Sequence, residues 1–182
     1  QSGTETGIGL SFALNIAPIT TRAAVEDGVV LTGADDLALT ATTTPTLITR
    51  AEAGAAGDSF SLGGAVAITL ADTATTAAIG TGSGTTSLTG ALTLRALEEN
   101  GTTITLADGT VAGTDVGIGV AVALTLATDE SRATTRRTIQ AAGTGASTIE
   151  AKTVVRIDTT AKASVKGVQK SGDANKDKSG AQ

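Results

Sequence analysis

Residues 116–127 read VGIGVAVALTLA, a run without a charge. Ile118, Val120, Val122, Leu124 and Leu126 take every second position, and Gly117, Gly119, Ala121, Ala123 and Thr125 stand between them. Period two is the strand period, because successive side chains point to opposite faces; a helix would scatter the large set around its axis. The run is also well short of the ~20 apolar residues with which a helix crosses a bilayer. It is therefore read as a strand.

The same alternation recurs along the chain. GIGLSFALNIA (7–17), SLGGAVAITLA (61–71) and GIGVAVALTLA (117–127) superpose without gaps, and their last residues, Ala17, Ala71 and Ala127, fall at a nearly constant interval. TTRAAVEDG, TTAAIGTG and TRRTIQAAG follow them, then LTGADDLALTA, LTGALTLRA and, more loosely, IEAKTVVRID. Self-similarity at a fixed period, here about 55 residues, marks a stacked repeat architecture. Three units are predicted, 1–57, 58–112 and 113–167, forming one continuous body, with a polar tail or inter-repeat loop at 168–182. Shorter β-branched segments at 29–32, 37–42, 92–95 and 102–106, set between Asp-Gly, Asn-Gly and Asp-Asp punctuation, predict further strands. Each unit holds two strong strand groups about 25 to 30 residues apart. That spacing predicts two coils per unit, six in all.

Composition narrows the architecture. The 182 residues include no Cys, Met, Trp, Tyr or His and two Phe, while Gly, Ala and Thr make up about half of the chain. Without large side chains the core must be assembled from many small pieces, which favours a regular and repetitive interior. A transmembrane barrel would need aromatic girdles, and a sandwich carries no such long repeat. The fold class predicted is all-β, a parallel β-solenoid (β-helix), whose stacked coils tolerate Gly, Ala and Thr. Its large alternating residues are expected to fill the interior. The small ones, Gly9, Ala13, Gly63, Ala67, Gly119, Ala121 and Ala123, are expected to form a lateral packing face, covered by a turn or strand of the same chain or by a second rod. Charge sets a further bound: a net −5 and a pI near 4.6 argue against a nucleic-acid partner, which would call for a basic face. The chain begins without Met and without a charged and apolar leader, as expected of an internal stretch of something longer.

The unit G-x-G-x-x-x-A-L-N-I-A, then T-x-A-x-V/I-G/D-x-G, then L-T-G-x-L-x-L-x-A, resembles the repeats of giant bacterial surface adhesins, the filamentous-haemagglutinin-like and leukotoxin-like proteins. The likeness covers residues 7–166. It departs at Thr69 and Thr125, where the repeat usually has Asn, and at the inserted Asp35-Asp36. The resemblance implies an extracellular stalk or filament on the bacterial cell surface, extending or self-associating to mediate contact. Its partners would be neighbouring repeats of one long chain and, laterally or end to end, other copies.

Little in the chain argues for chemistry instead. The absence of His and Cys removes the usual general base, the thiol nucleophile and most transition-metal sites, so no enzymatic activity is expected. Asp35-Asp36, Glu98-Glu99 and Asp129-Glu130 are adjacent acids whose side chains point to opposite faces of a strand, and all three lie beside turn signals. They read as solvated corners. Arg132, Arg136 and Arg137 could bind phosphate or an acidic glycan, but pairing with Asp129, Glu130 and neighbouring coils is the simpler expectation. Asp173, Asn175 and Asp177 have the D-x-N-x-D spacing of a calcium loop, with Lys178 where the turn wants Gly. Calcium is thus the one candidate cofactor, and a mobile polar loop the plainer reading. A carbohydrate-binding or carbohydrate-processing β-helix is the alternative function. An ice-binding solenoid, suggested by Thr40-Ala41-Thr42 and Thr103-Ile104-Thr105, is the lesser one, and it requires the same TxT in every coil.

Overall fold

A computed structural model describes residues 6–83, 85–113, 115–142 and 146–167, and among those residues the chain forms nine strands and no helix. The first repeat supplies β1 (Thr6–Val25), β2 (Leu37–Thr43) and β3 (Thr46–Gly57). The second supplies β4 (Phe60–Ile79), β5 (Thr86–Leu88) and β6 (Leu92–Gly113); the third, β7 (Val116–Thr135), β8 (Ile139–Ala141) and β9 (Thr148–Gly167). All pairings are parallel. One sheet runs β1-β4-β7, a second joins β2 and β3 to β6 and β6 to β9, and β5 pairs with β8 on a short third side. Residues 29–32, expected as a strand, belong instead to the irregular connection between β1 and β2.

Register corrects the coil count. Thr6 pairs with Phe60 and Phe60 with Val116; Leu37 pairs with Leu92 and Gly101 with Val155, each partner lying one full repeat further along the chain. Each repeat therefore adds one layer to the stack, not two coils, and the three repeats make three layers. The two strand groups of a repeat do not stack on one another. They face each other across the interior, one outbound and one returning, because each long strand of about 20 residues is some 65 Å from end to end and folds back at the short third side.

The burial pattern also reverses the expected faces. In β4, Ser61, Gly63, Ala65, Ala67, Thr69 and Ala71 point inward and are buried, while Phe60, Leu62, Val66, Ile68 and Leu70 point outward. Gly9, Ala13, Gly119, Ala121 and Ala123 face inward in the same way, and Ala13, Ala121 and Ala123 pack on a core of Ala51, Ala53, Ala65, Ala67 and Ala107. The small residues are covered, and what covers them is the return strands of the same chain. The reason lies in the return strands, which carry their own Gly and Ala at the facing positions, so the two sheets approach closer than the ~10 Å of sheets bearing large side chains. A Cβ on Gly9 would stand 2.0 Å from the carbonyl oxygen of Gly54, and one on Gly119 would stand 2.6 Å from that of Gly109. Only glycine fits there.

Along the strands the interior thickens in step with side-chain size. From the glycine end it passes through alanines to a row of threonines and ends at Ile79, Leu88, Leu92 and Leu94, a second apolar cluster beside the short side. The cross-section is wedge-like in outline, narrow where Gly9 faces Gly54 and wide at the Ile79 cluster, although Val111 is buried near the narrow end and β1 and β7 carry no inward Leu.

The threonine row is a continuous hydroxyl chain. Thr159 donates to Thr125 (2.7 Å), Thr125 to Thr105 (2.7 Å) and Thr69 to Thr49 (2.7 Å), and Thr69 and Thr105 are 2.6 Å apart. A hydroxyl has one hydrogen, and that of Thr69 is spent on Thr49, so Thr105 is the donor to Thr69. The chain crosses between the sheets through all three layers with one polarity, an arrangement in which successive bonds strengthen one another.

Corner residues tie each layer to the next. Asp27 accepts from the backbone N–H and hydroxyl of Thr81, Asp35 from the hydroxyl of Thr89, and Asp36 from the N–H of Ala91, each pair linking adjacent repeats. The Asp35-Asp36 insertion is therefore an interlayer clasp. Arg137 in the third layer donates to the carbonyls of Gly80 and Thr81 in the second and of Glu26 and Val29 in the first.

Candidate interaction face

The large residues of the alternation, turned outward, stack in register into apolar columns. Ile8, Leu62 and Ile118 form one; Phe12, Val66 and Val122, then Leu14, Ile68 and Leu124, then Ile16, Leu70 and Leu126 form others. Leu10 leans over Gly64, where a Cβ would stand 2.9 Å from the Leu10 Cδ2. These side chains are open: Leu10 is 76% exposed, Phe12 66% and Leu126 54%. Its strands are in continuous parallel register, and its outward columns carry no charge before Asp72.

Its boundary is sharp. Beyond Ile16, Leu70 and Leu126 the outward columns become Pro18, Asp72 and Thr128, then Thr20, Ala74 and Glu130, then Arg22, Thr76 and Arg132. Arg22 pairs with Glu26, and Arg132 with Glu130. The hydrogen bond from Arg22 holds the Glu26 carboxyl below the usual carboxylate range, and hydrogen bonds from Thr81 do the same for Asp27. A shallow depression lies among Arg22, Glu26, Asp27, Arg132 and Arg136. So each outbound strand is apolar outside in its first half and polar or charged in its second.

The opposite outer face has a different character. There the columns read Thr46, Thr102, Arg156; Ile48, Ile104, Asp158; Arg50, Leu106, Thr160; and Glu52, Asp108, Lys162. Arg50 pairs with Glu52 and Arg156 with Asp158. Thr40 of the first TxT stacks on Arg95, itself paired with Glu150, and Thr103 of the second points inward and is buried. The TxT motif does not recur from layer to layer. Both phenylalanines of the chain, Phe12 and Phe60, belong to the apolar face, so the charged depression has no aromatic platform for a sugar.

Glu98 departs from its reading as a solvated corner. It is 0% exposed, neither carboxyl oxygen has a hydrogen-bond partner, and it occupies the layer between Thr43 and Thr153. Thr75, in the same layer as Glu98, donates to Thr43 of the first layer, and in the third layer Thr153 donates to Ser131, both at 2.9 Å, so Glu98 interrupts a second row of hydroxyls. Burial first, then the negative charge of Asp129, pushes its pKa up to about 7. Sequence adjacency suggested the pairs Glu98-Glu99 and Asp129-Glu130, whereas the fold brings Glu98 and Asp129 together and turns Glu130 outward to Arg132. The signal for this was faint: Glu98 is followed by Asn100 in the left-handed region (φ 53°) and by a bulge before Gly101, which resets the inward parity of β6.

Asp173, Asn175 and Asp177 lie outside the described residues. Among the described residues no three Asp, Glu, His or Cys side chains gather as a metal site, and no helix is long and apolar enough to cross a membrane. Comparisons with protein-family models, with curated proteins and with solved structures find no match for this chain.

Proposed function

We propose that this chain is a segment of parallel β-solenoid that serves as a stalk or filament of a large, secreted bacterial surface protein, acting through length, stiffness and lateral contact. The observation that carries the reading is the register: each repeat adds one parallel strand to each side of the stack at the same place. Length then grows by about 4.8 Å per repeat and stiffness comes from the continuous ladders. Interlayer clasps at Asp27, Asp35, Asp36 and Arg137 are what a load-bearing stack needs at its corners. The adhesin-like repeat language adds the surface setting. Negative-stain imaging of the native protein, with antibody labelling of intact cells, tests both parts. Rods roughly 65 Å across, displayed at the cell surface, are the expected result; compact particles, or labelling only after lysis, would overturn it.

A further inference from the structure

We propose that the outer apolar face of β1, β4 and β7 docks onto the same face of a second copy of this chain, with the strands of the two copies antiparallel and the Phe12–Val66–Val122 column at the centre. The inference rests on the stacked-layer reading above but not on the surface setting. The observation behind it is an asymmetry. One outer face of the stack is solvated by ion pairs at Arg50, Glu52, Arg156 and Asp158, while the other presents Leu10 and Phe12 at 76% and 66% exposure among apolar neighbours. Leu, Ile, Val and Phe stand on the outside of the first halves of these strands while Gly, Ala and Thr fill the inside. Such a face on a soluble protein marks an interface.

Geometry selects the partner. Outward residues repeat about every 6.6 Å along each strand and every 4.8 Å from layer to layer, and a surface that interdigitates with them must carry the same two spacings. A second copy has both by construction. The columns from residue 116 to 126 span about 35 Å and the three layers about 14 Å, which gives a plan area of roughly 500 Å² per face. Two such faces remove roughly 1,000 Å² of plan area, and more with the side chains standing above it, which reaches the size of a specific interface.

Charge selects the orientation. If the strands of the two copies ran parallel about a two-fold axis, the layer order would reverse: Arg22 would face Arg132 of the other copy, and Asp72 would face its own equivalent. In the antiparallel arrangement Leu10 meets Leu14 and Ile8 meets Ile16, the Pro18–Asp72–Thr128 column meets the Thr6–Phe60–Val116 column at the edge of the overlap, and the columns from Thr20, Ala74 and Glu130 onward project past the partner on opposite sides into water. Only apolar columns overlap at the centre, ringed by a polar rim.

The mass of the intact 182-residue chain in solution tests this, by light scattering at micromolar concentration. A dimer at twice 17.7 kDa is expected. F12K/V122K should halve the mass while keeping the circular-dichroism spectrum of the wild type, with a melting temperature that no longer depends on protein concentration, and I48K, on the other outer face, should leave the dimer intact. A monomeric wild type, larger heterogeneous aggregates, or a dimer that survives F12K/V122K would overturn the proposal; so would a wild-type monomer that binds phosphatidylcholine vesicles, which would assign the face to lipid. Orientation is read separately. The chain has no cysteine, so F12C should be joined to its own equivalent by a bis-maleimide of about 10 Å span, the separation of stacked sheets. Crosslinking of F12C/V122C without crosslinking of F12C alone would refute the antiparallel arrangement. Failure of the stalk reading would appear as the absence of rods on cells, whatever the mass measured.

Discussion

The guanidinium of Arg137 donates a hydrogen bond of 2.7 Å to the carbonyl of Val29, 108 residues earlier in the chain and two layers away. Through Nε and Nη2 the same side chain holds carbonyls of Gly80, Thr81 and Glu26. One side chain thus ties the corners of three layers together, joining the Gly28 N–H on the carbonyl of Thr81. Replacing Arg137 with Ala should cost about 1.5 to 3 kcal/mol, the range for hydrogen bonds made by a charged group, with the partly buried bond to Gly80 the main contributor beside three exposed ones. Arg137→Lys should recover less than half, since an ammonium lacks the planar fork. Urea midpoints check the size, and faster amide exchange at Gly28 and Gly80 checks the place.

Ala67 is fully buried where the two sheets meet, and Ala123 faces inward beside it. A lysine at either position would carry an uncompensated charge into the narrow part of the wedge. Ala67→Lys should prevent folding or cost more than about 4 kcal/mol, and Ala123→Lys, in an outer layer, should cost less. Circular-dichroism melts of both variants measure the difference. Equal, small effects would contradict the inward placement.

The hydroxyl chain makes a quantitative prediction. Thr105→Val removes the central member, leaving Thr125 without its acceptor and Thr69 without its donor. The cost should be about 1 to 3 kcal/mol. Once the centre is broken, Thr69→Val should cost markedly less than it does alone. A double-mutant cycle gives the coupling, expected at about 1 kcal/mol for contacting members of one network.

Glu98 makes stability depend on pH in the direction opposite to most carboxylates. Its pKa rises from 4.5 when unfolded to about 7 in the stack, so the folded state binds the extra proton. The stabilisation is fully present below pH 4.5 and is lost as pH rises through about 7, by up to about 3 kcal/mol. Glu26 and Asp27, whose pKa values are lowered, act in the opposite sense and only at lower pH. Between about pH 4.5 and pH 8 the wild type should therefore lose stability, Glu98→Gln should flatten the dependence, and Asp129→Asn should reduce it. Denaturation midpoints across that range are the measurement. A wild-type midpoint that rises with pH would refute the assignment.

The strand period of residues 116–127, the three units and the corner placement of Asp35-Asp36 were all legible in the chain, because each is a local or self-similar property. Alternation shows that a strand has two unlike faces, and the near-constant interval between Ala17, Ala71 and Ala127 shows what repeats. Neither says which face is inside. Ordinary hydrophobic bias points Ile118 and Leu124 inward, but the interior is as thick as the facing strand permits, and that strand brings Ala51, Ala53, Ala107 and Gly109 to the same narrow space. The matched small residues of the return strands were the one available clue.

What the sequence determined by itself is therefore the stacking: parallel strands, a fixed repeat, and small residues gathered on one side of each strand, since identical units can align with themselves in register. Only the tertiary structure decided that outbound and return strands close on one another within a single layer. That closure buries Gly9 and Ala67, turns Leu10 and Phe12 to the outside, and brings Glu98 to Asp129. The physical reason is that sheet separation is a property of two facing strands together, set by the sum of their inward side chains and written in neither strand alone.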